Sequence, residues 1–510
     1  MPTLAVGMLE MRESYNMPTA SVGMAPFPST FRNRNYIAEG CAMKKSCLFL
    51  CGVFCLAIVV GLDGALPAAD EPGDELVQMI VDLVGEKDKE MRAIGLQQVR
   101  EEAKGPAATK RFAALLPKLT PDAQAALLDA LADRGDAAAR PAALEMLKSQ
   151  EEAVRAAATR ALASLGEAAD VPLLVQLLRA AAGPEKSAAQ ASLARMQGQC
   201  VNAAIVAELK SAKPDARIQL IDVLAARRAK DSVPSILAGS QDADAKVRMA
   251  SMTALGQLAG PEHAADMLQG VLKAEPGAER EAAEKAVMFA CNQTKDADKR
   301  AVPLLAAFAK LGEDDRTALL TALGRVGGPD ALKVVQAAIA DPHVQRSDAG
   351  IRALCNWPDA SVADQLLDLA QTAKAANHRT SALRALIRVA ALPDKRSDAE
   401  RLDLLKKAMT LATRDDERNL VLKRARAIRT IESLRFAAPY MDKPKFAQEA
   451  CATVVELAHH RGLREPNKAE FDKALDTVIA ASKDADVVDL AKRYKKGQTA
   501  PPKVGPTKDP

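Results

Sequence analysis

The sequence predicts an all-α protein: a right-handed α-α superhelix of about twelve helix pairs with a period near 31 residues. Three observations carry that expectation. The 510 residues are 48% hydrophobic and 27% charged but only 3% aromatic, so the apolar content is aliphatic and rich in alanine. Alanine and leucine favour helices, whereas sheets draw on aromatic and β-branched residues. An amphipathic helix recurs along the chain, and prolines and glycines mark its joints. The formal net charge of +4 is too balanced to point to nucleic acid, and aromatic platforms for base stacking are scarce.

Taken from the start, residues 1–42 are mixed and proline-containing, and they read as a disordered upstream extension with a mis-assigned start, translation beginning at Met43. Residues 43–69 read as a secretory signal peptide. Met43-Lys44-Lys45-Ser46 gives a basic start, Cys47 to Leu62 an uncharged apolar run, and Pro67-Ala68-Ala69 a small-residue exit. The run is short for a spanning helix, so a membrane association is expected only through an uncleaved leader. The remainder is expected in a periplasmic or secreted compartment of bacterial type.

Residues 70–493 carry the repeat. Val154-Arg155 and Val247-Arg248 open two segments with apolar residues at the same offsets: Val154, Ala157, Ala161, Leu162 and Leu165, then Val247, Ala250, Ala254, Leu255 and Leu258. These offsets trace one face of a helix. The basic second position recurs as Arg92, Arg155, Lys186, Arg217, Arg248, Arg280, Arg316, Arg346, Arg379 and Arg418, the steps after Arg155 lying close to 31 residues. A second helix precedes each, opened by Val171-Pro172, Val233-Pro234 or Val302-Pro303, where proline sits in a first turn. Glycines such as Gly166, Gly260 and Gly327-Gly328 are expected to end the arginine-bearing helices. Residues 494–510, rich in proline, glycine and lysine, read as a disordered tail.

The Val-Arg-x-x-Ala-x-x-Ala-Leu helix, the Val-Pro-x-Leu helix before it and the short period resemble HEAT repeats, in the compact HEAT-like form also found in bilin lyase subunits. The resemblance implies an armadillo-type α-solenoid and says little about activity, since such repeats serve scaffolds, transport factors and a few enzymes. A metallohydroxylase subset uses repeated His-Glu dipeptides as iron ligands. This chain has none, Glu262-His263 being the reverse order.

The candidate residues fall into two groups. Arg92, Arg155, Arg217, Arg248, Arg280, Arg316, Arg346 and Arg379 are expected to form a structural ladder of ion pairs and carbonyl contacts, with acids just before them (Glu151, Glu152, Asp244, Asp314, Asp315) as partners. Residues 374–445 hold 18 basic and 9 acidic side chains, and Arg384, Arg388, Lys423, Arg424, Arg426 and Arg429 form the candidate basic surface for an acidic partner, polyanion or lipid headgroups. No catalytic, cofactor or metal constellation is legible. Adjacent His459 and His460 point apart on a helix, and no nucleophile motif occurs. Cys200, Cys291, Cys355 and Cys451 are too far apart along a solenoid to pair, so free thiols are expected.

The expected function is a non-enzymatic exported scaffold that binds protein partners along an extended concave surface, with no cofactor and no specific nucleic acid. The alternatives are polyanion or membrane-surface binding through residues 374–445, and an enzyme subunit or cofactor-lyase-like protein.

Overall fold

The computed structural model describes residues 73–180, 182–198 and 200–498, so the expected extension, the signal peptide and the tail beyond Gln498 lie outside the described residues. Within them the chain forms thirteen helix pairs and a single extra turn, Arg461–Arg464, with no strand. Each pair consists of a leading helix, a short joint and a trailing helix, which in most pairs carries the recurrent basic residue. The prolines mark the leading helices as expected: Val171–Ala180, Val233–Gly239 and Val302–Phe308 each begin at the Val-Pro step, the first two directly after a single 3-10 turn. The final helix, Ala485–Lys495, includes Tyr494, which is buried against the preceding repeats.

Leading and trailing helices stack as two layers around one continuous aliphatic core that runs through all the described repeats. Helices meet chiefly their own pair-mate and the neighbouring pairs, so burial is shared between adjacent repeats and no repeat closes a core alone. The trailing helices follow one pattern. In Glu152–Leu165, Val154, Ala157, Ala161, Leu162 and Leu165 are all buried; in Ala245–Leu258, Val247, Ala254, Leu255 and Leu258 are buried.

At most junctions neighbouring trailing helices approach one another more closely than neighbouring leading helices. Small residues at the crossing make this possible. A Cβ placed on Gly324 would run into the Ala353 backbone, 2.7 Å from its Cα, and one on Gly256 would lie 3.1 Å from the Ala286 Cα. The joints do not all use glycine as expected. Gly327 and Gly328 have the left-handed φ values of 76° and 95° that exclude most side chains. Gly166 and Gly260, in contrast, are extended, and at Gly166 the constraint is space: a Cβ would sit 2.7 Å from the Met196 methyl.

The four cysteines of the repeats are free. Cys200 is exposed, while burial pushes the Cys291 thiol up to about 12 and the Cys355 and Cys451 thiols up to about 11. Trp357 is fully buried at a joint, its indole N–H donating to Ser361 Oγ at 3.1 Å, and so packs as a wedge.

Replacing Gly324 by alanine should destabilise the repeats by about 1–3 kcal/mol, because the added methyl overlaps backbone. Gly85→Ala, at a helix end with open space around it, serves as the control and should be neutral or stabilising by up to about 1 kcal/mol. Urea midpoints of the two variants compare them directly; equal midpoints would contradict the close-approach account.

Candidate functional site

The recurrent arginine does its work on the joint behind it. Arg155 donates to the carbonyls of Ser149 (2.9 Å) and Gln150 (3.0 Å), Arg248 to Asp242 and Ala243 (both 3.0 Å), and Arg379 to Ala373 (2.7 Å) and Lys374 (2.9 Å). Arg92 reaches Glu86, Arg217 Ala212, Arg280 Leu272 and Ala274, and Arg316 Phe308 and Ala309. These carbonyls end or follow the leading helix, where helical partners have run out. Arg346 departs from the pattern: its guanidinium bridges Asp341 (2.7 Å) and Glu313 (2.8 Å) and takes no carbonyl.

The acidic partners are not the residues just before each arginine. Arg248 makes a bidentate pair with Glu279 (2.7 and 3.1 Å), Arg155 pairs with Glu185 (3.2 Å) and Arg92 with Asp122 (3.1 Å), each acid lying about one repeat onward. Asp244 instead caps its own helix by accepting from the Lys246 and Val247 N–H groups. The physical reason is direction: a residue one turn back on the same strand of chain is claimed by the helix N-terminus, while the next repeat brings its first turn alongside. The Arg248–Glu279 pair is 6% and 9% exposed, and the carboxylate raises the guanidinium pKa above its ordinary value.

A second set of bonds between repeats was invisible to the recurring motif. Arg134 donates to Val99, Glu102 and Ala103, Arg227 to Leu193 and Met196, and Arg388 to Cys355 and Trp357. Each arginine near the end of one trailing helix thus holds the carbonyls that end the previous one. The leading side has a counterpart: Arg140 grips Asp170 at 2.8 and 2.6 Å. The signal was a basic residue nine to twelve positions after the recurrent basic position, which recurs in fewer repeats.

On two adjacent trailing helices the positions one, five and nine residues after the recurrent basic position are left open. Met249, Thr253 and Gln257 occupy them on Ala245–Leu258, and Glu281, Lys285 and Phe289 on Ala278–Asn292, all exposed. Farther along, a groove of about 920 Å³ runs over Ala278–Asn292, Glu313–Val326 and Val344–Cys355, lined by Arg280, Glu284, Thr321, Arg325 and Arg352 among others. Glu284 is buried there; burial pushes its carboxyl above the ordinary value despite the Arg325 Nε–H bond of 2.9 Å.

The predicted basic surface is divided by the structure. Arg384 pairs with Asp416 (2.8 Å) and Glu417 (3.5 Å), Arg426 with Glu449 (3.8 Å), and Arg388 is tied to carbonyls. Lys423, Arg424 and Arg429 are exposed. The Arg388 guanidinium is depressed first by burial and then by Arg424 and Arg325, which places it within the field of two further arginines. Arg325 and Arg352 lie outside the predicted stretch because neighbours across the layer are about a repeat apart in sequence. His459 ends its helix with Nδ1 2.9 Å from the Tyr494 hydroxyl, and no group of three metal-ligating side chains occurs among the described residues. No described helix is long and apolar enough to cross a membrane.

The family model of HEAT repeats matches residues 108–194 and 202–288. These two stretches match HEAT repeats, and the described residues form an all-α solenoid of stacked helix pairs. No curated protein matches its sequence. Among solved structures it is similar to the karyopherin Kap121p bound to the SUMO protease Ulp1p, at 12% identity, TM-score 0.47, with 82% of this chain and 53% of that one covered. Kap121p alone gives 13% identity and a TM-score of 0.46 over 82% and 53%, and a Kap95p–RanGDP structure 12% and 0.42 over 83% and 66%. The chain spans about half the length of the Kap121p chains it matches.

The pH dependence of one inter-repeat bond follows from Asp170. Burial pushes its carboxyl up, but the Arg140 hydrogen bond, the Glu167 N–H and the Arg140 charge together hold it below its ordinary value. A depressed carboxylate contributes stability above the ordinary carboxylate range, and that contribution is lost as the pH falls through its folded value. Asp170→Asn should therefore lower stability by about 1–3 kcal/mol at neutral pH, with the gap to wild type closing as the pH drops below the carboxylate range. Urea denaturation across a pH series reads this; a gap that stays constant into strong acid would contradict it.

Proposed function

We infer that the protein is a non-enzymatic scaffold that holds protein partners along the open face of its trailing helices. The observation that carries this reading is the mixed character of that face. Met249, Phe289 and Leu420 are 38%, 52% and 40% exposed on trailing helices, beside uncommitted polar and basic side chains. Large exposed apolar groups within a polar surround suit a protein interface.

The charged groups support a binding role over a chemical one. Recurrent arginines are spent on carbonyls and on carboxylates of the next repeat, so they hold the stack together and leave few ionisable groups poised for proton transfer. Binding to a uniform polyanion through residues 374–445 is disfavoured by Asp416, Glu417 and Glu449, which neutralise part of that surface. Export, proposed from the Met43–Ala69 leader, would place the scaffold and its partners in the cell envelope or outside the cell.

The test is affinity capture on the full chain with crosslinking, followed by hydrogen exchange on the purified complex. Protection of the trailing helices around Met249, Phe289 and Leu420 is the expected result. Failure to recover any reproducible protein partner, or protection confined to the leading helices, would overturn the reading.

A further inference from the structure

The first helix pair has neighbouring repeats on one side only. In Asp74–Gly85, Asp74 and Gln78 accept from Arg111 of the second pair, and in Lys89–Glu101, Arg92 and Arg100 pair with Asp122 and Asp133 of its trailing helix. The opposite sides carry Leu76, Met79 and Leu83 on the first helix and Met91 and Ile94 on the second, at the three- and four-residue spacing of a helical stripe. Met79, Met91 and Ile94 are 47%, 43% and 50% exposed, and Leu76 and Leu83 are half-buried. The two helices close on each other at Gly95, where a Cβ would lie 2.8 Å from the Leu83 Cβ, so the stripes adjoin.

Terminal repeats of a solenoid ordinarily turn a polar face outward. The far end conforms: beyond Leu420 no large apolar side chain is exposed among the described residues. The near end is an apolar strip with acidic rims. Glu75, Asp82 and Glu86 run beside the first stripe, and Glu90 and Glu101 beside the second, all exposed. Among the described residues none of these acids has a basic side chain within the 4.0 Å of an ion pair. Lys87 sits in the joint, and Lys89, three residues before Arg92, shares the side that faces the second pair.

We propose that this end face docks a basic amphipathic helix of a partner protein. The apolar stripe of that helix lies along Met79, Leu83, Met91 and Ile94, and its lysines or arginines reach the acidic rims, as when a helix seats in an apolar groove. It adds one more element to the stack, about 8–10 Å beyond the first pair. Charge complementarity selects this occupant. A second copy of the same end would set acids against acids, and an anionic lipid surface would meet both rims with like charge. The surface is separate from the open face of the trailing helices around Met249 and Phe289, so the inference goes beyond the scaffold reading.

The experiment is fluorescence anisotropy on the full chain with a labelled peptide of about five helical turns, leucine forming one stripe and lysine and alanine the rest. Two comparison peptides carry glutamate in place of lysine, or the same composition with the leucines scattered around the helix. The lysine-stripe peptide should bind at least about tenfold more tightly than either, and added salt should weaken it. The double variant Met79→Lys, Ile94→Lys should lose about tenfold or more while keeping the wild-type circular dichroism melt, since both side chains are exposed. Phe289→Ala, on the trailing face, should leave the affinity unchanged. Equal affinity for the lysine and glutamate peptides, undiminished binding by the double variant, or an equal loss in Phe289→Ala would overturn the proposal. So would a dimer in sedimentation that the double variant dissociates, which would assign the face to a second copy. Partners captured on the trailing helices by the double variant leave the scaffold reading intact whichever way the peptide result falls.

Discussion

Everything in this architecture depends on giving the backbone carbonyls at helix ends a donor. A chain of short helices has many ends, each with carbonyls that lack helical partners. The arginines meet that constraint with a guanidinium long enough to span a joint and with donors to spare. One set, exemplified by Arg155 and Arg248, holds the joint before its own helix and reaches forward to an acid of the next repeat. The other, exemplified by Arg134, Arg227 and Arg388, reaches back to the end of the previous trailing helix. Helix termini, joints and neighbouring repeats are thereby coupled through the same side chains, and the alanine-rich core can remain small and close-packed.

That coupling explains what sequence could and could not show. The period, the core offsets and the Val-Pro starts are local signals, set by one helix at a time, and Val171, Val233 and Val302 open their helices where the text places them. The arginine positions were legible for the same reason. Their acidic partners were not, because Glu279 and Glu185 lie a repeat away and only stacking brings them to Arg248 and Arg155. Gly166 illustrates a different limit: its place at a helix end was readable, but whether backbone conformation or the Met196 methyl demands glycine depends on the neighbouring repeat.

The candidate surface was half legible. A window over 374–445 finds an excess of basic residues, yet Arg384, Arg388 and Arg426 are engaged internally, and exposed Arg352 comes from outside that window. Charge in a solenoid gathers across layers at intervals of a repeat, whereas a sliding sum gathers it along the chain. The face that results is graded, with apolar side chains and mixed charge around Met249 and Phe289 and exposed Arg352, Lys423 and Arg424 farther on. Such grading fits a surface that engages a partner over several repeats with different chemistry at each.

The central claim is that arginines couple successive repeats, and the buried pair between Arg248 and Glu279 tests it most directly. Denaturation of Arg248→Met, Glu279→Gln and the double variant forms a double-mutant cycle. Each single change should destabilise by about 3–5 kcal/mol by stranding a buried charge or its partners, and the double should fall short of their sum by about 2 kcal/mol or more. Losses that simply add, with no coupling between the two residues, would contradict the account.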